Sequence, residues 1–235
     1  ADIVFSNYQI QSSGKRKISN SIFLSNQLLD ETYITKIVMP TFLKSNNYNS
    51  VCTKLYRNKL IKKNQIHFPE EVPLGEDGLF NIAYLCVSDS MICIDYAGYH
   101  YREVKGSATR NFANQNYFRR SLQEYEMNYP QKINELLNAD DILEYKSIKL
   151  IHSVYALLYI YLSSNKQLDI KSRYKRVQSI INHQSVQKSL QLFKKERQNS
   201  WGTYEKYMFY MIKYKSIIGL YFLTFYSRIR NKEWR

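Results

Sequence analysis

Residues 75–102 read GEDGLFNIAYLCVSDSMICIDYAGYHYR. Two acidic residues, Glu76 and Asp77, stand before an apolar segment with helical spacing, and acids favour the first turn of a helix. Residues 91–97, MICIDYA, follow and have the composition of a strand. They lead into residues 98–102, whose polar side chains we expect at the end of that strand. The segment therefore predicts a helix followed by a strand, as in α/β folds.

Upstream of this segment, the sequence predicts another strand and several shorter elements. Residues 3–8, IVFSNY, are prone to form a β-strand, and the polar residues 11–20 after them indicate an exposed turn. Residues 22–44 have apolar positions with helical spacing that Pro40 interrupts, which predicts two short helices. Strands and helices are thus mixed throughout this part of the chain.

Downstream of Asn111 the strand signal disappears and long helical patterns take over. Seven glycines and four prolines in 235 residues are few, which favours helices over a loop-rich all-β fold. We therefore place a domain boundary near residue 110. The predicted architecture is a partial α/β domain over residues 1–110, followed by a mostly α-helical domain over residues 111–235.

Basic residues are concentrated in the second half of the chain. The formal net charge is +14, with 13 Lys and Arg against 10 Asp and Glu in residues 1–110, and 21 against 10 in residues 111–235. From Lys166 onward the ratio is 16 to 4. This end of the chain is suited to an anionic partner, either a phospholipid surface or a nucleic acid.

The cysteines and the first residue bear on the compartment and on completeness. Cys52, Cys86 and Cys93 are an odd number without CxxC spacing, which fits a reducing, cytoplasmic compartment better than a disulfide framework. The chain begins at Ala1 without Met or a signal peptide and enters a strand at once. We therefore expect the natural protein to extend further at its N-terminus.

Residues 75–102 also hold a group of chemically capable side chains. Glu76 and Asp77 are carboxylates, and His100 and Arg102 bring an imidazole and a guanidinium to the next strand. A carboxylate at a helix start is able to take a proton from a substrate hydroxyl, and His and Arg suit a metal or a diphosphate. The alternative is structural, because acids commonly cap helices and His or Arg at a strand end is often a surface group.

Four short motifs follow one another in the first 110 residues. They are KLYR at 54–57, FPE at 68–70, GED at 75–77 and YHYR at 99–102. Their order and spacing resemble the family-2 glycosyltransferases, which have the GT-A fold and move a sugar from a nucleotide sugar to an acceptor. The opening ADIVF at 1–5 looks like the strand that follows the nucleotide-binding half of this family and its metal-holding DxD motif.

The resemblance implies an inverting transfer in which Asp77 is the catalytic base. Asp77 would deprotonate the acceptor hydroxyl, which then attacks the anomeric carbon of the donor sugar in a single displacement. Glu76 would shape the acceptor site beside it. The acceptor implied is a glycan or lipid-linked glycan in bacterial surface or capsular polysaccharide synthesis.

The resemblance also implies a donor site with a divalent metal, Mg²⁺ or Mn²⁺, in the full-length enzyme. His100 would face this metal and the diphosphate of the nucleotide sugar. Arg102, with Ser107 and Thr109 on the following loop, would neutralise charge on the leaving group. The DxD motif itself is absent, since the acidic pair at 140–141 lies downstream in the helical half. Without this metal clamp we expect the chain alone to be inactive.

Two uncharged stretches, residues 150–165 and 216–227, are too short to span a membrane, which takes about 20 apolar residues. The second stretch has aromatic residues between basic flanks and Trp234 close behind, a composition that fits a helix lying in the membrane interface. A helix packed on the first domain is the alternative. On the interfacial interpretation, the protein is peripheral on the inner face of the cell membrane and contacts an anionic surface.

A nucleic-acid-binding module is the rival functional class. Residues 171–176, KSRYKR, interleave basic side chains with tyrosine, and such a pattern is able to hold phosphates and stack bases. No recognised nucleic-acid-binding motif accompanies it, and it leaves Glu76, Asp77 and His100 without a role. We therefore expect no nucleic-acid partner, and a membrane adaptor without catalysis is a third hypothesis.

Overall fold

A computed structural model of the chain describes residues 1–12, 15–69, 75–102, 116–163, 168–197 and 201–233. The protein is a mixed α/β structure that divides into two units. The sheet unit comprises Ala1–Ser107 and Tyr129–Ile142, and the helical unit comprises Ala108–Asn128 and Leu143–Arg235. The boundary predicted near residue 110 falls outside the described residues.

Five strands form the sheet of the first unit. They are β1 (Ile3–Ser12), β2 (Lys15–Ser19), β3 (Leu28–Asp30), β4 (Lys54–Tyr56) and β5 (Ser90–Arg102). The strand order is β2-β1-β5-β3, and β4 also pairs with β1. β1 and β5 run parallel, with Phe5 opposite Cys93 and Tyr8 opposite Tyr99. Register shifts at residues 6–8 add β5 residues opposite β1, and such bulges curl a sheet.

Helices make up most of the remaining structure. The α-helices are α1 (Glu31–Tyr33), α2 (Met39–Lys44), α3 (Asn58–Lys63), α4 (Glu76–Leu85), α5 (Tyr117–Glu126), α6 (Gln131–Leu136), α7 (Ala139–Tyr161), α8 (Ile170–Asn182), α9 (Gln184–Arg197), α10 (Thr203–Lys213) and α11 (Ile217–Glu233). A π-helical turn, Ile34–Val38, joins α1 to α2, and a 3₁₀ turn, Val51–Thr53, precedes β4.

The helix and strand predicted from residues 75–102 are confirmed as α4 and β5. Acidic residues occupy the first turn of α4, as expected, and the helix buries Phe80, Ile82, Tyr84 and Leu85. β5 continues to Arg102, so residues 98–102 lie within the strand rather than beyond it. A parallel partner along this whole length supplies the hydrogen bonds that carry β5 further than its apolar run suggested.

The exposed turn predicted over residues 11–20 is wrong for most of its length. β1 continues to Ser12 and β2 begins at Lys15, and the two strands pair with Tyr8 opposite Ser19. The polar composition misled the prediction because β2 is an outer strand of the sheet. Charged side chains are typical of sheet edges, where they oppose pairing with another chain.

The two short helices predicted over residues 22–44 have the wrong bounds. Leu28–Asp30 forms β3 against β5, and helical structure runs without a break over residues 31–44. Asp30 sets the start, because its Oδ1 accepts a hydrogen bond from Tyr33 N at 2.9 Å and so caps the helix. The apolar spacing before residue 28 therefore belongs to irregular, non-helical chain.

Pro40 does not break this helical run, contrary to the prediction. The chain enters α2 through the π-helical turn, in which the Met39 amide donates to the Ile34 carbonyl. Pro40 then falls in the first turn of α2. A proline is tolerated there because the first turn of a helix has no intrahelical use for its amide hydrogens.

The described residues from 116 onward form helices joined by short turns, as the sequence predicts for this part. The core of the helical unit is an apolar cluster that includes Val154, Leu158 and Val177. Aromatic rings complete it, with Trp201 between Phe193 at 6.3 Å and Phe209 at 4.7 Å. Across the described ranges, no helix combines the length and the apolar character needed to cross a membrane.

Candidate functional site

The start of α4 has a backbone geometry that its sequence requires. Gly75 adopts φ 106° and ψ −1°, in the left-handed region that glycine enters without steric cost. Its carbonyl accepts a hydrogen bond from Leu79 N at 3.2 Å. Glu76 and Asp77 follow in the first turn, where the helix dipole favours negative charge. The GED motif is therefore a sharp entry into a helix with two carboxylates at its positive end.

One oxygen of Asp77 is fixed by the protein. Asp77 Oδ2 accepts a hydrogen bond from Val51 N at 3.1 Å, which ties α4 to the 3₁₀ turn before β4. Among the described residues, no hydrogen bond reaches Oδ1. The carboxylate is half-buried. It is thus held in one orientation while one oxygen stays able to accept a proton.

A buried polar network holds α4 against its neighbours. Asn81 Nδ2 donates to Asn49 O at 2.6 Å and to Asp77 O at 2.7 Å, and the Tyr56 hydroxyl donates to Asn81 Oδ1 at 2.8 Å. Burial, reinforced by the negative charge of Asp77, raises the pKa of Tyr56 well above its ordinary value, so this hydroxyl remains a donor. A satisfied network of this kind fixes the position of the helix start.

Tyr84 extends the attachment of α4 to the first residues of the chain. Its hydroxyl donates to Asp2 O at 2.8 Å and accepts from Arg57 N at 2.9 Å. The Arg57 side chain in turn contacts the Asp2 carboxylate at 3.0 Å. The last residue of KLYR is therefore joined to α4 and to the start of β1 through one tyrosine.

Lys54, the first residue of KLYR, is buried beside this network. Its Nζ donates to Tyr48 O at 2.7 Å and to Ser50 O at 2.5 Å. The same atom lies 4.9 Å from the centre of the Phe5 ring, a cation–π distance. Burial lowers the pKa of Lys54 to about 8, although the nearby charge of Asp77 acts in the opposite direction.

A cavity of about 250 Å³ opens next to Lys54 on one face of the curled sheet. Register places Tyr8 opposite Tyr99, and Ile10 opposite Tyr101, on this face. Aromatic rings and hydroxyl groups dominate the wall, which includes Phe5, Tyr8, Tyr48, Tyr99, Tyr101, Ser6, Ser19, Ser21, Ser50 and Thr53. Such a wall offers flat apolar surfaces and hydrogen-bonding groups to one ligand.

Tyr99 links the cavity to the region of Asp77. A hydrogen bond with the Cys52 thiol raises the pKa of the Tyr99 hydroxyl. Cys52 is the neighbour of Val51, whose amide holds the Asp77 carboxylate. Asp77 itself does not line the cavity, but its charge acts on Lys54, which does. The structure thus brings Asp77, Lys54 and the tyrosine-lined cavity into one neighbourhood.

The remaining predicted site residues lie elsewhere or outside the described residues. His100 and Arg102 are exposed on β5, and they alternate with Tyr99 and Tyr101, so they point to the opposite face of the strand. In the register with β1 they stand opposite Gln9 and Gln11.

Glu76 is half-buried beside Asp77, and its Oε2 has no hydrogen-bond partner among the described residues. Ser107 and Thr109 fall outside the described ranges. No group of three or more His, Cys, Asp or Glu in the described part of the chain is placed to hold a metal ion. His100 alone does not make a site for Mg²⁺ or Mn²⁺, because these ions take several oxygen ligands.

Two of the basic side chains of helix α8 contact groups within their own unit. Arg173 Nη1 donates to Ser163 O, and the Arg176 guanidinium lies over the Tyr161 ring at 5.4 Å. Lys171 and Lys175 are exposed. Two of the four basic side chains in KSRYKR therefore pack against their own unit, which leaves a smaller charged surface than the sequence suggests.

Sequence reasoning missed the cavity residues, although one signal for them was present. In YHYR, two tyrosines stand two positions apart, and in a strand such residues share a face. Tyr8, Ser19 and Tyr48 carried no comparable local signal. No protein-family model matches the chain, and no curated protein matches it. The family resemblance therefore stays a prediction that rests on the four motifs.

Proposed function

We propose that the sheet unit is the acceptor-side part of an inverting glycosyltransferase, with Asp77 as the base that activates the acceptor hydroxyl. The observation that carries this proposal is the setting of Asp77. Its carboxylate stands at a helix start, has one oxygen fixed by Val51 N, and lies near a cavity of aromatic and hydroxyl side chains. A positioned carboxylate of this kind is suited to general-base catalysis.

In the proposed reaction, the acceptor hydroxyl gives its proton to Asp77 Oδ1 while its oxygen attacks the anomeric carbon of a nucleotide sugar. The bond from that carbon to the diphosphate breaks, and the nucleoside diphosphate leaves with the electron pair. Attack opposite the leaving group inverts the anomeric configuration. The hydrogen bond from Val51 N to Oδ2 fixes the orientation of the Asp77 carboxylate, so Oδ1 is already positioned to accept the proton.

The cavity is suited to the sugar unit that carries the reacting hydroxyl. The apolar faces of a sugar ring pack on aromatic rings, and its hydroxyls exchange hydrogen bonds with Ser, Thr and Tyr. Ligand pockets commonly measure about 300–1,000 Å³, so a cavity of about 250 Å³, just below that range, fits one ring better than a long chain. We therefore propose a glycan or lipid-linked glycan whose terminal sugar enters beside Tyr99.

His100 and Arg102 are proposed as the residues that face the donor diphosphate, with Ser107 and Thr109 in the same role. Their support is the resemblance, together with the alternation of β5. On this strand Tyr99 and His100 point to opposite faces, which separates acceptor and donor contacts by a single residue. The pathway proposed is bacterial surface or capsular polysaccharide synthesis.

Sugar transfer by the full-length protein, with Asp77→Asn, tests the base. Asn keeps an oxygen that accepts from Val51 N, so the fold is preserved while the proton acceptor is lost. We expect kcat to fall by about 100-fold to 10,000-fold with acceptor KM nearly unchanged. Asp95→Asn is the matched control, since Asp95 is an exposed acid that accepts a hydrogen bond from Asn26. An active Asp77→Asn enzyme would mean that Asp77 only caps α4.

Neighbouring residues on β5 test the division between acceptor and donor. Tyr99→Ala is expected to raise the KM for the acceptor about tenfold through loss of a ring face, and to leave the donor KM unchanged. His100→Ala is expected to do the reverse. If both variants affect the acceptor alone, or neither affects either substrate, the assignment of the two faces is wrong.

A further inference from the structure

Helix α11 differs from an ordinary surface helix because it exposes all of its aromatic side chains. The side chains it buries include Leu220, Thr224 and Ser227, two of which are polar. The Thr224 hydroxyl is satisfied within the helix, by Leu220 O at 2.9 Å and Tyr221 O at 3.0 Å. Leu220 and two small hydroxyl side chains thus face the unit, with Ile217 and Leu223 partly buried beside them, and the aromatic side chains are left for the other side.

The outer face of α11 is made of large apolar side chains. They are between 44% and 74% exposed, and they are Ile218, Tyr221, Phe222, Phe225, Tyr226 and Ile229. At about 100° per residue these six positions cover a continuous arc of about 140°. Between Ile218 and Ile229 no charged or small polar residue interrupts that arc, and the next positions on it, at the end of the helix, are Lys232 and Glu233. Monomeric proteins rarely leave a contiguous patch of this kind to water, so the face indicates an interaction surface.

The surroundings of this face are mainly basic. Residues 205–233 include six Lys or Arg and two acids, Glu205 and Glu233. Lys213 and Lys215 are exposed just before the helix, and Arg230 is exposed beside the far end of the apolar arc. The face therefore combines an uncharged aromatic surface with positive charge at both ends.

We propose that this outer face of α11 lies in the interface of a membrane that contains anionic lipids. Phe and Ile side chains would enter the boundary between headgroups and acyl chains, the Tyr hydroxyls would stay at headgroup level, and Lys213, Lys215 and Arg230 would contact lipid phosphates. The helix lies along the surface in this arrangement and does not cross the bilayer. The proposal is independent of the reaction assigned to the sheet unit.

Charge is the reason to prefer a membrane over a second copy of the chain. A symmetric contact through α11 would bring the basic ends of one copy against those of the other. Residues 205–233 offer only two carboxylates, Glu205 and Glu233, against six Lys or Arg, so each copy would bring an excess of positive charge. Like charges across a contact are unfavourable, whereas anionic headgroups neutralise all of these positions.

Vesicle sedimentation tests the proposal with the 235-residue chain. The probes are large unilamellar vesicles of phosphatidylcholine alone and with about 30% phosphatidylglycerol. We expect binding to the mixed vesicles that falls severalfold between about 0.05 M and about 0.5 M NaCl. The double variant Phe222→Ser/Phe225→Ser should partition at least about tenfold more weakly, because two large apolar side chains no longer enter the interface.

Two further variants separate the contributions. Tyr174→Ser on α8 is the matched control, since it removes an aromatic side chain of similar exposure from another surface of the same unit, and it should bind like wild type. Lys213→Gln/Lys215→Gln should lose the preference for phosphatidylglycerol. Wild-type binding by the Phe double variant would overturn the proposal. So would a chain that ignores vesicles and forms a dimer that this variant dissociates, as measured by light scattering.

Discussion

Helices α4 and α11 both contain aromatic residues, but α4 buries its rings and α11 exposes them to solvent. α4 buries Phe80 and Tyr84, and its buried polar residue, Asn81, bonds to other elements. α11 exposes Phe222 and three further rings while it buries hydroxyl side chains. The difference teaches that aromatic content alone does not say whether a helix supports a core or offers a surface.

Hydrogen-bond partners explain why each helix tolerates polar residues inside. Asn81 is acceptable in the core because Asn49 and Tyr56 satisfy it from neighbouring segments. Thr224 needs no such neighbours, since its hydroxyl returns to carbonyls of its own helix. α4 is therefore fixed by contacts that also orient Asp77, whereas α11 is attached through Leu220, its buried hydroxyl side chains and a hydrogen bond from Arg228 Nη2 to Leu162 O at 3.0 Å. Four comparisons of paired variants test this contrast.

The largest expected effect comes from removing one ring from each helix. Phe80→Ala should lower the free energy of unfolding by about 3–5 kcal/mol, because the ring is buried and lies 4.3 Å from Phe68 and 5.2 Å from Tyr56. Phe222→Ala should change it by no more than about 0.5 kcal/mol, since this ring is 64% exposed. Guanidinium unfolding followed by circular dichroism measures both. Equal losses would mean that α11 packs its outer face.

Periodicity could predict that α4 and α11 exist, because helical spacing is a local property. It could not say which side of α11 faces the unit, since that depends on residues far away in sequence. The same limit explains the helix wrongly predicted before residue 28, where the apolar spacing occurs in irregular chain. The outer strand β2 was missed for another reason, because an edge strand needs no apolar face and its partner supplies the order.

A second pair compares the buried polar groups. Asn81→Leu should lower the free energy of unfolding by about 3 kcal/mol, because it leaves the Tyr56 hydroxyl and the Asn49 carbonyl buried without their partner. Thr224→Val should lower the free energy of unfolding by less than about 1 kcal/mol, since the Leu220 and Tyr221 carbonyls keep their backbone hydrogen bonds within the helix. Urea unfolding of the two variants checks this. A costly Thr224→Val would show that its hydroxyl serves more than its own helix.

The candidate site was only partly predictable for the same physical reason. The GED motif indicates a helix start within three residues, so Asp77 could be identified from the sequence. The cavity is assembled from four separated segments around Tyr8, Ser19, Tyr48 and Tyr99; the register of the sheet brings three of them together, and packing of Tyr48 on Phe23 adds the fourth. Lys54 stood in a recognised motif, but its burial depends on Phe5 and Phe42 packing over it.

A third test compares a buried lysine with an exposed one through the pH dependence of stability. The buried lysine, Lys54, makes the free energy of unfolding depend on pH because its pKa differs between the folded and unfolded chain. Lys54 has its pKa lowered from 10.5 to about 8. Between pH 8 and 10 the unfolded chain therefore holds a proton that the folded chain has released, so stability rises with pH. This contribution should reach about 2 kcal/mol, and Lys54→Met should lack it.

The measurement for Lys54 is the difference between wild type and variant in unfolding free energy at pH 8, 9 and 10. Burial raises the pKa of Cys86 to about 11, and this thiol changes stability in the opposite direction over the same window, but equally in both proteins. Lys213→Met is the matched control for loss of one lysine charge, from the exposed end of α10. A parallel pH dependence of wild type and Lys54→Met would contradict the burial of this charge.

The smallest expected effect concerns a glycine in each helix. A Cβ on Gly78 would lie 2.6 Å from Asn49 Nδ2, and that side chain is anchored to Asn46 Oδ1 at 2.8 Å. Gly78→Ala should therefore cost about 1 kcal/mol even after the gain in helix propensity. A Cβ on Gly219 would meet the Met211 thioether, but this unbranched side chain rotates away at low cost. Because the gain in helix propensity offsets the cost of repacking Met211, Gly219→Ala should leave the unfolding midpoint nearly unchanged. A loss of stability equal to that of Gly78→Ala would mean that Gly219 is packed as closely as Gly78.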